Sequence, residues 1–162
     1  MTMHLRPTTE ADLPFVYGLE HAADNSPYLL PWPIERHQKA LADPDIRHWI
    51  AEHTKTGQPV GYVILAGLAQ SHDSIELMRI TLAVKGKGYG REILRQIKQW
   101  AFTDQGANRL WLDVKETNER ALHLYQSEGF RIEGTLRECL KTGAGYESLI
   151  VLSMLAREYR PG

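Results

Sequence analysis

Lys85-Gly86-Lys87-Gly88-Tyr89-Gly90-Arg91 is the stretch of this 162-residue chain whose residue types most directly imply chemistry. Alternating glycines let the backbone turn tightly and aim successive N–H groups into one concavity. The helical pattern that follows puts the positive end of a helix dipole at the same point, so the loop suits a phosphate or pyrophosphate. Lys85, Lys87 and Arg91 add cationic side chains. A flexible Gly/Lys turn is the plain alternative. Two other nucleotide fingerprints fail: GxxxxGK[ST] is absent, and Gly86, Gly88 and Gly90 are spaced GxGxG rather than GxGxxG.

A second constellation runs from Asn118 to Phe130. Asn118 stands where a helix N-cap belongs. Tyr125 shares a helix face with Ala121 and Leu122, which fits a core tyrosine with a satisfied hydroxyl as readily as a reactive one. Glu76 lies on a strand leading to the glycine loop, where it is a candidate general base or the partner of Arg79 in an ion pair. His48, His53, His72 and His123 show no metal-ligand spacing, and no metal is expected. Cys139 reads as packing, since no paired histidine would make it a nucleophile. Trp49, Trp100 and Trp111 read as core, whereas Trp32 is either a loop anchor or a wall of an acceptor pocket.

These residues must be positioned by elements that the pattern also outlines. A short strand from Leu5 stops at Pro7. Thr9 and Asp12 resemble an N-cap pair before a helix with Leu13, Val16, Tyr17 and Leu19 on one stripe, ending near His21. The proline-interrupted segment 25–33 is a loop with large apolar anchors, followed by a short helix over 34–42. Segments 48–53, 60–68 and 74–82 read as three strands of an antiparallel meander, the first two joined around Gly57. Beyond the glycine loop, Ile93, Leu94, Ile97, Trp100 and Ala101 recur at helical spacing. A strand over 109–114 then implies a right-handed parallel crossover. A helix over 118–127, stopped by Gly129, and a terminal hairpin of strands 131–140 and 146–156 complete the chain. The expected class is α/β, a mixed sheet of about seven strands with helices on both faces, forming a single domain over residues 1–162.

Composition narrows the partners. Apolar residues make up 43% and charged ones 24%, with a net charge of -1, so no polyanion attraction is implied. Neither nucleic acid nor a membrane is an expected partner. One cysteine and no apolar leader or span point to a reducing, cytoplasmic setting.

The glycine loop followed, about thirty residues on, by N-x-x-A-x-x-x-Y-x-x-x-GF resembles the GNAT superfamily of N-acetyltransferases. RIEGTLRE is similar to the branch with ribosomal-protein alanine and spermidine acetyltransferases, and LRPTTEADLPFV to the family's opening strand and helix. The resemblance implies acetyl-CoA as cosubstrate and a primary amine as acceptor, either a small molecule or a protein N-terminus. It assigns coenzyme contacts to Lys85, Gly86, Lys87, Gly88, Tyr89, Gly90, Arg91 and Asn118, and the acid that protonates the departing thiolate to Tyr125. Two departures stand out. Lys85 replaces the usual Arg or Gln, and ELMRITLAVKGKG lacks the family's proline, so the pantetheine-contacting strand falls on Ile80, Thr81 and Leu82. A bulge in strand 74–82 would free a backbone N–H for the thioester oxygen. The resemblance also implies a tendency to homodimerise, for which the sequence shows no interface. A longer acyl donor and a non-catalytic coenzyme-A-binding sensor are the competing readings.

Overall fold

Each segment's periodicity decides which layer it enters. In the computed structural model, which describes residues 2–161, the strands are β1 (Met3–Pro7), β2 (Arg47–His53), β3 (Pro59–Ala66), β4 (Ser74–Leu82), β5 (Arg109–Lys115), β6 (Arg131–Thr142) and β7 (Gly145–Leu155). The helices are α1 (Leu13–His21), α2 (Ile34–Ala42), α3 (Tyr89–Gln99) and α4 (Glu119–Ser127). One seven-stranded sheet runs in the order β1-β2-β3-β4-β5-β7-β6, with β4 and β5 parallel and every other neighbour antiparallel. The mixed sheet, the meander and the parallel pairing across the α3 connection are as the sequence implies.

Strand β3 shows how two cores arise from one period of two. Val63 and Leu65 point into a layer with Ile93, Leu94 and Ile97 of α3, while Tyr62 and Ile64 point into another with Val16, Leu19 and Ala40 of α1 and α2. Helix α3 buries its stripe completely: Ile93, Leu94 and Ile97 are inaccessible to solvent, each stabilising the fold by about 1.5–3 kcal/mol. Thr9 and Asp12 do form a capping box, over a short 3-10 turn that leads into α1. Trp32 is buried in the α1/α2 layer with the Arg36 guanidinium 3.9 Å above its ring, so it is the anchor of its loop.

Three local expectations change. The helix after the glycine loop ends at Gln99 and continues as a π turn over Trp100–Asp104, instead of running regularly through Phe102. Cys139 is exposed on the edge strand β6, not packed. Trp49, Trp100 and Trp111 are half-buried, with Trp49 and Trp100 in edge contact at the margin of the α3 layer. Among the described residues, no helix is long and apolar enough to cross a membrane.

Candidate active site

The sheet divides at its centre. Strands β4 and β5 pair only through Ser74 with Arg109, Ile75 with Leu110 and Glu76 with Trp111. Beyond these pairs they separate, and a cleft of about 900 Å³ opens between Leu77–Leu82 on one wall and residues 113–115 on the other. A bulge on the β3 side assists: Leu65 pairs with Leu77 and Ile64 with Arg79, leaving Met78 unmatched, which bends the strand. The bulge expected in strand 74–82 is therefore present.

One end of the cleft is built from backbone. Gly86 and Gly88 hold φ of +80° and +77°, conformations that L side chains rarely adopt, and Gly88 is the N-cap of α3. The Glu92 N–H is the one that reaches back to the Gly88 carbonyl, at 3.2 Å. The N–H groups of Tyr89, Gly90 and Arg91 thus have no carbonyl within the helix and, at the positive end of its dipole, suit an anion. Asn118 caps α4, its Oδ1 accepting from the Ala121 N–H at 3.2 Å, so two helix N-termini meet the same space. Arg120, which the sequence reading did not single out, lines the cleft beside Gly86.

Of the residues singled out from sequence, the structure brings Ile80, Thr81, Leu82, Lys85, Gly86, Gly88, Tyr89, Gly90, Arg91, Asn118 and Tyr125 onto this one cleft. Lys87 is not among its walls and is exposed. Lys85 does not offer its ammonium freely to the loop's concavity. It donates to Asn25 Oδ1 and to the Leu82 carbonyl (3.2 Å), and burial holds its pKa below the ordinary lysine value. Arg91 pairs with Glu128, a carboxylate that also holds Arg95 and Lys98 and sits at about 2 because these hydrogen bonds outweigh its burial.

Where the strands part, three titratable groups converge. Tyr125, on α4, is buried and lines the cleft; among the described residues nothing hydrogen-bonds its hydroxyl, and burial, then the Asp113 charge, raises its pKa well above the phenol range. Asp113, on β5, is half-buried, and burial raises it too. Glu76 lies one residue off the cleft wall, pushed up to about 7 by burial and by Asp113. Trp111 is its cross-strand neighbour, so Glu76 and Asp113 share one face of the sheet. The ion pair with Arg79 does not form: Arg79 bonds Glu20 instead.

Glu20 anchors the opposite end of the cleft. It is fully buried, and its two oxygens accept from the Trp32 N–H (3.1 Å), His37 Nε2 (3.0 Å), the Tyr62 hydroxyl (2.7 Å) and Arg79. Burial alone would raise Glu20, yet these bonds and the Arg79 charge bring it below its ordinary value. His37 bonds His48, which bonds Thr8, extending the chain at 3.0 and 2.8 Å; burial, with His37 beside it, pushes His48 down to about 4. Arg79 also donates to the Leu30 carbonyl at 2.7 Å. The 22–33 segment is thereby clamped at Leu30 and Trp32 by Glu20 and Arg79, and at Asn25 by Lys85.

A helix N-terminus and glycine loop at one end, a buried phenol and carboxylates at the split, and a clamped apolar loop beyond suit group transfer between an anionic carrier and a second substrate. Residues 13–130 match the model of the acetyltransferase (GNAT) family. The chain belongs to that family. It is accordingly an N-acetyltransferase. It is 26% identical to the spermidine N(1)-acetyltransferase of Escherichia coli K12, over 98% of this chain and 88% of that protein. It is 29% identical to the N-alpha-acetyltransferase RimI of Mycobacterium tuberculosis, over 66% of each. Its fold superposes on the Vibrio cholerae spermidine N-acetyltransferase solved with CoA and spermine, with a TM-score of 0.87, 26% identity and 98% coverage of both chains. Among the described residues, no three His, Cys, Asp or Glu side chains cluster so as to hold a metal ion.

Proposed function

We propose that this cleft transfers the acetyl group of acetyl-CoA to a primary amine by direct attack on the thioester, with the seven-stranded sheet acting as one acetyltransferase domain. The observation that carries the reading is the convergence of Tyr125, Asp113 and Glu76 at the point where β4 and β5 part, in the cleft whose far end is the α3 N-terminus. The free N–H groups of Tyr89, Gly90 and Arg91, with Arg120 beside them, hold the pyrophosphate. The edge of β4 at Ile80, Thr81 and Leu82, paired with β3 on one side and left uncovered by β5 on the other, faces the pantetheine arm, and Asn118 serves the coenzyme while it caps α4.

The acceptor arrives as an ammonium, with a pKa near ~10.4 for an alkylamine, and must lose a proton before it attacks. Asp113, in the cleft wall, receives the ammonium, and the coupled Asp113/Glu76 pair takes its proton. A base near pH 7 matches that task in ordinary buffer. Attack forms a tetrahedral oxyanion, for which the Met78 bulge offers a backbone N–H. Collapse expels the thiolate; Tyr125, whose raised pKa keeps its proton in place at neutral pH, protonates the sulfur and recovers a proton from the attacking nitrogen, which sheds one as the amide forms. A pure coenzyme sensor would need neither the phenol nor the paired carboxylates.

The test is coenzyme A release from acetyl-CoA across a panel of amines, run beside a calorimetric acetyl-CoA titration. Acceptor-dependent release is expected. Saturable binding with no release from any amine would instead support the sensor, and absence of binding would remove both readings.

A further inference from the structure

The acceptor end of the cleft carries its own chemistry, and several charged groups near it are answered from within the protein. Arg79 is held by Glu20. Lys115 is buried, donating to the Pro27 carbonyl at 2.9 Å with Glu147 at 3.4 Å. Asp24, exposed at the rim, faces Lys85. Glu119, also in the wall, is exposed in the first turn of α4. Asp113 is the half-buried carboxylate of the wall, with no cation in ion-pair range among the described residues, and Glu76 stands beside it rather than further along.

The remaining wall is apolar. Leu29 and Leu30 of the clamped segment and Met78 of the bulge line the cleft, with Leu140 and Leu149 from the terminal hairpin. Leu149 is the cross-strand neighbour of Lys115, whose side chain reaches the Pro27 carbonyl, so this part of the hairpin lies on the loop's side of the sheet. Tyr28 and Leu30 stand 45% and 56% exposed at the mouth, beside Leu29, so the loop presents apolar surface to whatever enters the cleft.

From this we infer that the acceptor is a monoamine on an apolar body, one ammonium received at Asp113 and the hydrocarbon laid against Leu29, Leu30, Met78 and Leu149. The inference rests on the acetyltransfer reading above and departs from the polyamines for which the matched relatives are named. A polyamine brings a second ammonium about four or five bonds from the first. Here that charge would meet leucines, because the other carboxylates stand elsewhere: Asp24 at the rim facing Lys85, Glu119 in the first turn of α4 and Glu147 against Lys115. It would lose its water with no carboxylate at its own position to replace it.

The same chemistry is carried by a free alkylamine and by a peptide that begins with an apolar residue. The experiment therefore measures kcat/KM for coenzyme A release with hexylamine, with cadaverine (the same chain length with a second ammonium), with spermidine and with a leucine-initiated peptide. Hexylamine or the peptide is expected to exceed cadaverine and spermidine by about tenfold or more, a difference worth about 1.4 kcal/mol. Whichever of the two turns over faster identifies the source. Replacing the solvent-facing Leu30, as Leu30→Glu, should shrink the hexylamine-to-cadaverine ratio severalfold. Cadaverine or spermidine matching hexylamine in the unaltered protein overturns the inference and leaves the acetyltransferase reading intact. Failure of every amine, with acetyl-CoA still bound, removes that reading and this inference together.

Discussion

The two ends of the cleft are made of different material. At the pyrophosphate end, consecutive residues 85–91 supply backbone N–H groups and a helix terminus, and the geometry depends on glycine torsions. At the acceptor end, contacts join residues far apart in sequence: Glu20 with Arg79, Asn25 with Lys85, and Pro27 with Lys115. Backbone chemistry recognises what every member of a family must bind. Side-chain networks hold the part that selects, and they can be rewired without disturbing the loop. Lys85 marks the border. It sits in the glycine loop by sequence, yet its ammonium serves the acceptor segment.

The split between them should respond most to loss of the phenol. Tyr125→Phe is expected to lower kcat by about 100-fold, the usual scale for a lost acid, with acetyl-CoA affinity nearly unchanged by calorimetry. Equal turnover would remove Tyr125 from the acid role.

Glu20→Gln tests whether the acceptor end stands apart energetically. It leaves Arg79 and His37 facing a neutral amide in a buried site, so chemical denaturation should show a loss of about 3 kcal/mol. Acceptor KM is expected to rise about tenfold while acetyl-CoA affinity holds. A parallel loss of both affinities would mean that the network supports the sheet generally and not the acceptor segment.

The pH profile comes next. A base works in its charged form, and Glu76 at about 7 is protonated below that pH and charged above it. The kcat should therefore climb between about pH 6 and 8 and level off beyond, and Glu76→Gln should flatten the climb. A climb retained in Glu76→Gln and lost in Asp113→Asn would assign the base to Asp113 alone.

The smallest effect is the most discriminating. Lys85→Met should raise acceptor KM about threefold, the scale of one partly buried hydrogen bond, and leave acetyl-CoA affinity within twofold. The reverse pattern would return Lys85 to the pyrophosphate, where the resemblance puts it.

Much of the frame was readable because it is written in local periods. The alternation in β3 and the helical stripe of α3 are patterns within ten residues, and the glycine loop is a contiguous motif. Glu20 and Asp113 are harder to read, each a polar residue beside buried apolar neighbours, and His37 is buried on a helix of mixed polar and apolar residues. Glu20 follows Leu13 and Val16 on the buried stripe of α1, and Asp113 interrupts RLWLDV between two buried neighbours. A polar group at a core position is the signal that could have found them, but its partners lie on other elements and only the fold names them. The π turn after Gln99 left no trace in the spacing.

The parting of β4 and β5 has a consequence for endurance. A sheet divided from within has two extra edges, rows of peptide groups that water or a foreign strand can reach. A cosubstrate lodged there closes the seam and binds only the folded chain, adding about 2.7 kcal/mol at a hundredfold excess over its Kd. Acetyl-CoA should therefore slow proteolysis of the chain, and a protease time course at rising acetyl-CoA reads that protection directly.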